Sequence, residues 1–232
     1  VKKFLPLFST VLAVVVAGFV AWEFVGRPLL RPKGPRAGYF PNVLLTTHEG
    51  KTVRFYDDLM HGDKIVVVNF MYTQCKGGCI GATDNLVKVQ QAVGGRAGRD
   101  IFFYSITLDP ESDTPAALKE YAELHETKPG WLFLTGKKAD LELIRQRLGF
   151  VDVDPAVDAR KVEHAGVILF GNEALNRWGA CPALGQPNEI IRSLSSMERP
   201  DRRRLHATDT AAVPNSGADG WTMNGEWQAK KQ

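Results

Sequence analysis

Apolar positions alternate between short β-type runs and helix-type spacings through most of this chain. Residues 43–47 and 52–55 flank His48, Glu49, Gly50 and Lys51, a hairpin signal with Gly50 in the turn. Residues 65–70 (Ile65, Val66, Val67, Val68, Asn69, Phe70) form a continuous β-branched run, the pattern of a strand buried on both faces. A helix over 79–93 follows, with Leu86, Val89 and Val93 lining one face and Gly94 and Gly95 ending it. The next strand is 101–108. Thr114 as cap and Pro115 at the first helical position then open a helix running to about His125. Further elements are a strand at 131–134, a helix at 137–148 stopped by Gly149, and a hairpin of strands 167–170 and 174–178 around Gly171, Asn172 and Glu173. A last helix covers 187–197. Strands separated by helices, then a hairpin and a final helix, predict an α/β fold: a thioredoxin-like mixed sheet flanked by helices, with an N-terminal β-hairpin and an inserted helix-strand unit.

The ends of the chain read differently. Lys2 and Lys3 precede an apolar run to about Val25 whose single charge, Glu23, falls near its end. About 20 such residues suffice to cross a bilayer as one helix. The lysines would stay on the cytoplasmic side and the remainder outside. We read residues 1–25 as a single N-terminal transmembrane helix; a cleaved signal peptide is the competing reading, weakened by Phe19 where a small residue is wanted. Residues 26–38, rich in Pro, Gly and positive charge, read as a linker. The folded domain is expected over 39–197. The polar stretch 198–232, with Arg202, Arg203 and Arg204 near its start, is read as a mostly disordered tail. Together these predict a single-pass protein of a bacterial inner membrane, its domain facing the periplasm or cell exterior.

The net charge of +3 is small and the basic residues are scattered outside the tail, which gives no argument for nucleic acid. Three cysteines are too few for a disulfide-stapled scaffold and suit a redox or metal site. Two of them, Cys75 and Cys79, sit four residues apart at a strand-to-helix junction, with Gly77 and Gly78 between them. In this fold that loop lies at the carboxyl edge of the sheet, where ligands gather. A helix N-terminus stabilises a thiolate there. The pair can close a disulfide, grip a soft metal ion, or be two buried inert thiols. A third partner is needed for metal, and His164 is the candidate, because the late strand it precedes begins at the same edge. A lone histidine is more often a surface or satisfied core residue, so spacing leaves its role open. Two thiolates and one imidazole would make a site suited to copper, while zinc could use the same set with an open position.

The strand leading into Tyr72, Thr73, Gln74 and Cys75 with Cys79 is one of several stretches that carry a resemblance. The run from Leu108 through Asp109, Pro110, Glu111, Ser112, Asp113 and Thr114 to Pro115 is the second. Trp131 to Gly136, and His164 before the closing hairpin, continue it. Over about residues 40–197 the chain resembles the Sco/SenC family of thioredoxin-fold copper proteins. The resemblance implies a copper-binding chaperone, Cu(I) or Cu(II), that helps metallate the binuclear copper centre of cytochrome c oxidase. Its partners would be the copper-centre subunit of the oxidase and other copper chaperones or thiol reductases. Cys75, Cys79 and His164 become the implied copper ligands and Asp109 a supporting neighbour. The alternative is a thiol-disulfide oxidoreductase in which Cys75 and Cys79 are the catalytic redox pair. A peroxidase is disfavoured, since neither cysteine lies in a Pro-x-x-x-Thr-x-x-Cys pattern.

The chain departs from the family pattern in three places. The prolines common within and just after the cysteine motif are replaced by Lys76, Gly77, Gly78 and Ile80. Glu163 stands where an Asp often precedes the histidine. Cys181 is an extra thiol placed after the last predicted strand. It is read as a buried bystander, with a resolving thiol or fourth ligand as the sharper possibility.

Overall fold

The computed structural model describes residues 34–75, 78–160 and 166–201, with the backbone alone at 78–80. The expected N-terminal span, His164 and nearly all of the expected tail therefore lie outside the described residues. Among the described residues no helix is long and apolar enough to cross a membrane.

Seven strands form one sheet: β1 (Leu44–Thr47), β2 (Thr52–Arg54), β3 (Ile65–Met71), β4 (Ile101–Thr107), β5 (Trp131–Gly136), β6 (Val167–Asn172) and β7 (Arg177–Pro182). Their spatial order is β2-β1-β5-β4-β3-β6-β7. β3, β4 and β5 run parallel, whereas β6, β7 and the β1–β2 hairpin are antiparallel to their neighbours. The inner order β4-β3-β6-β7, with a helix joining β3 to β4 and another following β7, is the thioredoxin-like arrangement expected from the sequence. The helices are α1 (Gly78–Val93), α2 (Pro115–Leu124), α3 (Lys138–Arg147), the single turn α4 (Pro155–Asp158) and α5 (Pro187–Ser195).

All seven residues of β3 are buried, because alternate side chains enter two different cores. Ile65, Val67 and Met71 join Leu86, Val89, Phe103, Leu118, Phe133 and Ile190 on one face, packed beneath α1, α2 and α5. Val66, Val68 and Phe70 join Tyr104, Ile106, Leu134, Leu141 and Ile144 on the other, beneath α3. Each such side chain contributes about 1.5–3 kcal/mol when fully buried. Across the central strands, Trp131 Nε1 donates to Ser105 Oγ (2.8 Å) and Ser105 Oγ to Asn69 Oδ1 (2.7 Å), a polar rung inside the first core.

Three elements differ from the sequence reading. The residues after β2 wind into a helical turn, Phe55–Met60, that drives Phe55, Tyr56, Leu59 and Met60 into the second core. β5 is two residues longer than predicted, because β1 pairs with its end (Leu45 opposite Gly136). The late hairpin turns farther along: β6 continues to Asn172, a helical turn spans Glu173–Leu175, and β7 starts at Arg177. Asn172 Oδ1 accepts from Leu175 N–H, and Asn176 takes a left-handed φ of 49° to reverse the chain. Packing continues past the last helix: Glu198 is buried against Arg96, and Arg199 Nε donates to Asp63 at 2.9 Å.

Candidate metal and redox site

Where β3 leaves the sheet its last residue still pairs with β4, and Leu108 N–H donates to Met71 O at 2.8 Å. The chain then turns, and Cys75 N–H donates back to Tyr72 O at 3.2 Å. Cys75 is 4 % exposed, packs against Tyr72, and is disulfide-bonded. Helix α1 begins at Gly78, so the backbone of Cys79 lies in the first turn of a 16-residue helix. The free amides and dipole at such an end favour negative charge on a nearby sulfur.

The turn is held from below. Asp113 is fully buried, and its carboxylate accepts from Thr73 N–H (3.2 Å to each oxygen), from Thr73 Oγ1 (2.5 Å) and from Thr107 Oγ1. From the sequence, this aspartate reads only as a turn and capping residue. The cap of α2 is Thr114, as the sequence predicts: its Oγ1 accepts from Ala117 N–H at 3.2 Å. The available signal was the threonine at 73, two residues before Cys75, which leaves a buried carboxylate something to hold. Asp109, half-buried at the same sheet edge, contributes its backbone: its N–H donates to Thr107 Oγ1 (2.8 Å), and its carbonyl accepts from Ser112 and Asp113.

Helix α1 is fixed to its surroundings on two sides. Asn85 Nδ2 donates to Ala183 O (2.8 Å) and Gly185 O (2.7 Å), tying the helix to the loop after β7. Tyr121 Oη donates to Thr83 Oγ1 at 3.0 Å, and His125 Nδ1 lies 2.9 Å from Asp84 Oδ1, tying it to α2. Burial pushes the Tyr121 hydroxyl pKa up, so it remains a donor.

Cys181 does not follow the last strand. It lies within β7, opposite Ile168 of β6, which in turn pairs with Asn69 of β3. The later turn moved the strand onto it. It still occupies the edge of the sheet where β3 ends, half-buried against the first core, as a free thiol whose pKa burial pushes up. His164 and Glu163 lie outside the described residues. The nearest described residue, Gly166, accepts at its carbonyl from Ala183 N–H at 2.9 Å, at this same edge. Among the described residues, no three His, Cys, Asp or Glu side chains converge as a metal cage. A cleft of about 180 Å³ on the other face is lined by Phe150, Val151, Asp152, Val167, Leu169 and Ala180 and offers one carboxylate, no metal-binding set.

The SCO1/SenC family model matches residues 38–198. No curated protein matches the sequence. Among solved structures, a SCO1/SenC family lipoprotein from Bacillus anthracis is similar at 23 % identity, covering 68 % of this chain and 94 % of that one, with a TM-score of 0.55. Bradyrhizobium japonicum ScoI, solved with copper bound, is 23 % identical over 66 % of this chain and 96 % of its own, with a TM-score of 0.52. BsSco, a member of the Sco family of cytochrome c oxidase assembly proteins in which a disulfide switch was identified, is 20 % identical over 67 % and 90 %, with a TM-score of 0.54. At these identities the structural likeness speaks for the fold, and the family model, spanning most of the chain, speaks for descent. This chain belongs to the SCO1/SenC family.

Proposed function

We propose that this chain is a copper-carrying assembly factor that passes its metal to the binuclear copper centre of cytochrome c oxidase. The cargo would be held by the Cys75 and Cys79 thiolates and the His164 imidazole, with Asp109 nearby. The supporting observation is the family match across residues 38–198 combined with Cys75 on a buried, tethered turn beside a helix N-terminus. Two soft sulfurs and one imidazole give a low-coordinate set suited to Cu(I), open enough for ligand exchange with a receiving site. The apolar N-terminal segment, read as a membrane anchor, would keep this domain outside the inner membrane, where the copper-centre subunit and other copper or thiol carriers could reach it.

A second reading draws on one observation: Cys75 is disulfide-bonded while Cys181 is free. With three cysteines in the chain, this supports Cys75–Cys79 as a redox pair that could reduce cysteines of an oxidase subunit. Substituting His164→Ala separates the two readings. Metal carriage predicts that copper binding collapses while the disulfide still forms and breaks. Copper binding that survives in this variant would remove His164 from the site, and a reduced wild-type chain that binds no copper would leave the redox reading alone.

A further inference from the structure

Every described donor to the Asp113 carboxylate serves the cysteine turn or the strand beside it. Thr73 gives it two hydrogen bonds, through backbone N–H and hydroxyl, and Thr107 at the end of β4 gives a third. Asp113 is itself held, since its N–H donates to Asp109 O at 2.8 Å, and it is fully buried one residue before the cap of α2. It is therefore a strut between the β4–α2 loop and the first residues of the turn. Thr73 is two residues from Cys75, and Cys75 N–H closes that turn on Tyr72 O. The position of Cys75 thus depends on its upstream anchor.

We propose that Asp113 is the positioning residue of the cysteine loop, holding Cys75 through Thr73 and thereby setting how readily the loop closes its disulfide and grips copper. The proposal rests on the reading of Cys75 as the working thiol. A fixed Cys75 raises the effective concentration of one sulfur near its partner, which favours the closed disulfide. Loss of Asp113 should therefore make the disulfide easier to reduce.

The test is the equilibrium of the full chain with dithiothreitol. Two electrons and two protons pass from the reagent's dithiol to the protein disulfide, and the reagent closes its own ring. For Asp113→Asn and Thr73→Ala, the equilibrium should move at least about tenfold toward the reduced protein, about 30 mV for a two-electron couple. Thr73→Ser, which keeps both donors, should stay within about twofold of wild type. Thr114→Ala removes the cap of α2 without touching the strut. It should lower the urea midpoint and leave the equilibrium in place. If Asp113→Asn lowers the urea midpoint yet leaves the equilibrium within twofold, the residue is merely structural and the proposal fails. Should Asp113→Asn not fold, the contrast between Thr73→Ala and Thr73→Ser decides, and equal behaviour of those two overturns it. Anaerobic Cu(I) titration of the same proteins keeps the outcomes apart. Wild type that binds no copper defeats the copper reading, while the strut stands or falls on the disulfide equilibrium.

Discussion

Single residues of this protein are most informative where burial and chemistry disagree with their usual habits. His48 sits behind β5, where its Nδ1 accepts from Phe133 N–H at 3.2 Å, and burial lowers its pKa below the usual histidine value. The neutral ring is thus the folded form, and an unfolded chain takes up a proton first. This contribution to stability is complete above about pH 6.5 and is lost as the pH falls through the lower folded value. Urea midpoints taken between pH 7.5 and 5.5 should fall more for wild type than for His48→Gln; equal falls would contradict the assignment. Cys181 makes a second case. Burial raises its thiol pKa, so at pH 8 it should alkylate with iodoacetamide at least about tenfold more slowly in the native chain than in urea. Comparable rates would show an accessible thiolate instead. Asp113 shows what the sequence hides at this scale. Its type and place fit a helix cap, and only its partner Thr73, forty residues away, gives it another task.

At the scale of elements, continuous burial was easy to read and compensation between elements was not. β3 is legible because six apolar positions in seven, interrupted only by Asn69, leave no solvent face. The late hairpin turns beyond Gly171, where the sequence predicts it, because Asn172 and Asn176, two ordinary polar residues, share the turn. Gly171 serves the packing instead: a Cβ there would lie 2.3 Å from the Trp178 ring. Helix α3 shows a clamp with no sequence signature. Arg145 is buried, donating to both oxygens of Asp158 and of Glu142 and to Phe150 O, which binds α3 to the loop and turn leading toward residue 160. Arg145→Ala should cost about 2–3 kcal/mol by urea denaturation, because it strands partners that lose a charged donor. Arg145→Lys should recover little, since a single ammonium cannot serve both carboxylates as the planar fork does. Full recovery by lysine would mean that charge alone matters.

For the whole molecule, the sheet order turns a cysteine motif into a site. β3 delivers Cys75 and β4 delivers the loop carrying Asp109 and Asp113, while β6 and β7 bring Gly166 and Cys181 to the same edge. The alternation of strands and helices makes this arrangement legible in the sequence, since parallel neighbours need helical crossovers. The supporting contacts beneath the turn were not legible, because they join residues by space and not by spacing. The central claim is that this edge carries copper. Its most direct test is anaerobic titration of the reduced full chain with Cu(I) against a competing chelator. One copper ion per chain is expected in wild type, with the stoichiometry lost in Cys75→Ala, Cys79→Ala and His164→Ala and kept in Cys181→Ser. A reduced wild-type chain that leaves all of the copper with the chelator would contradict that claim.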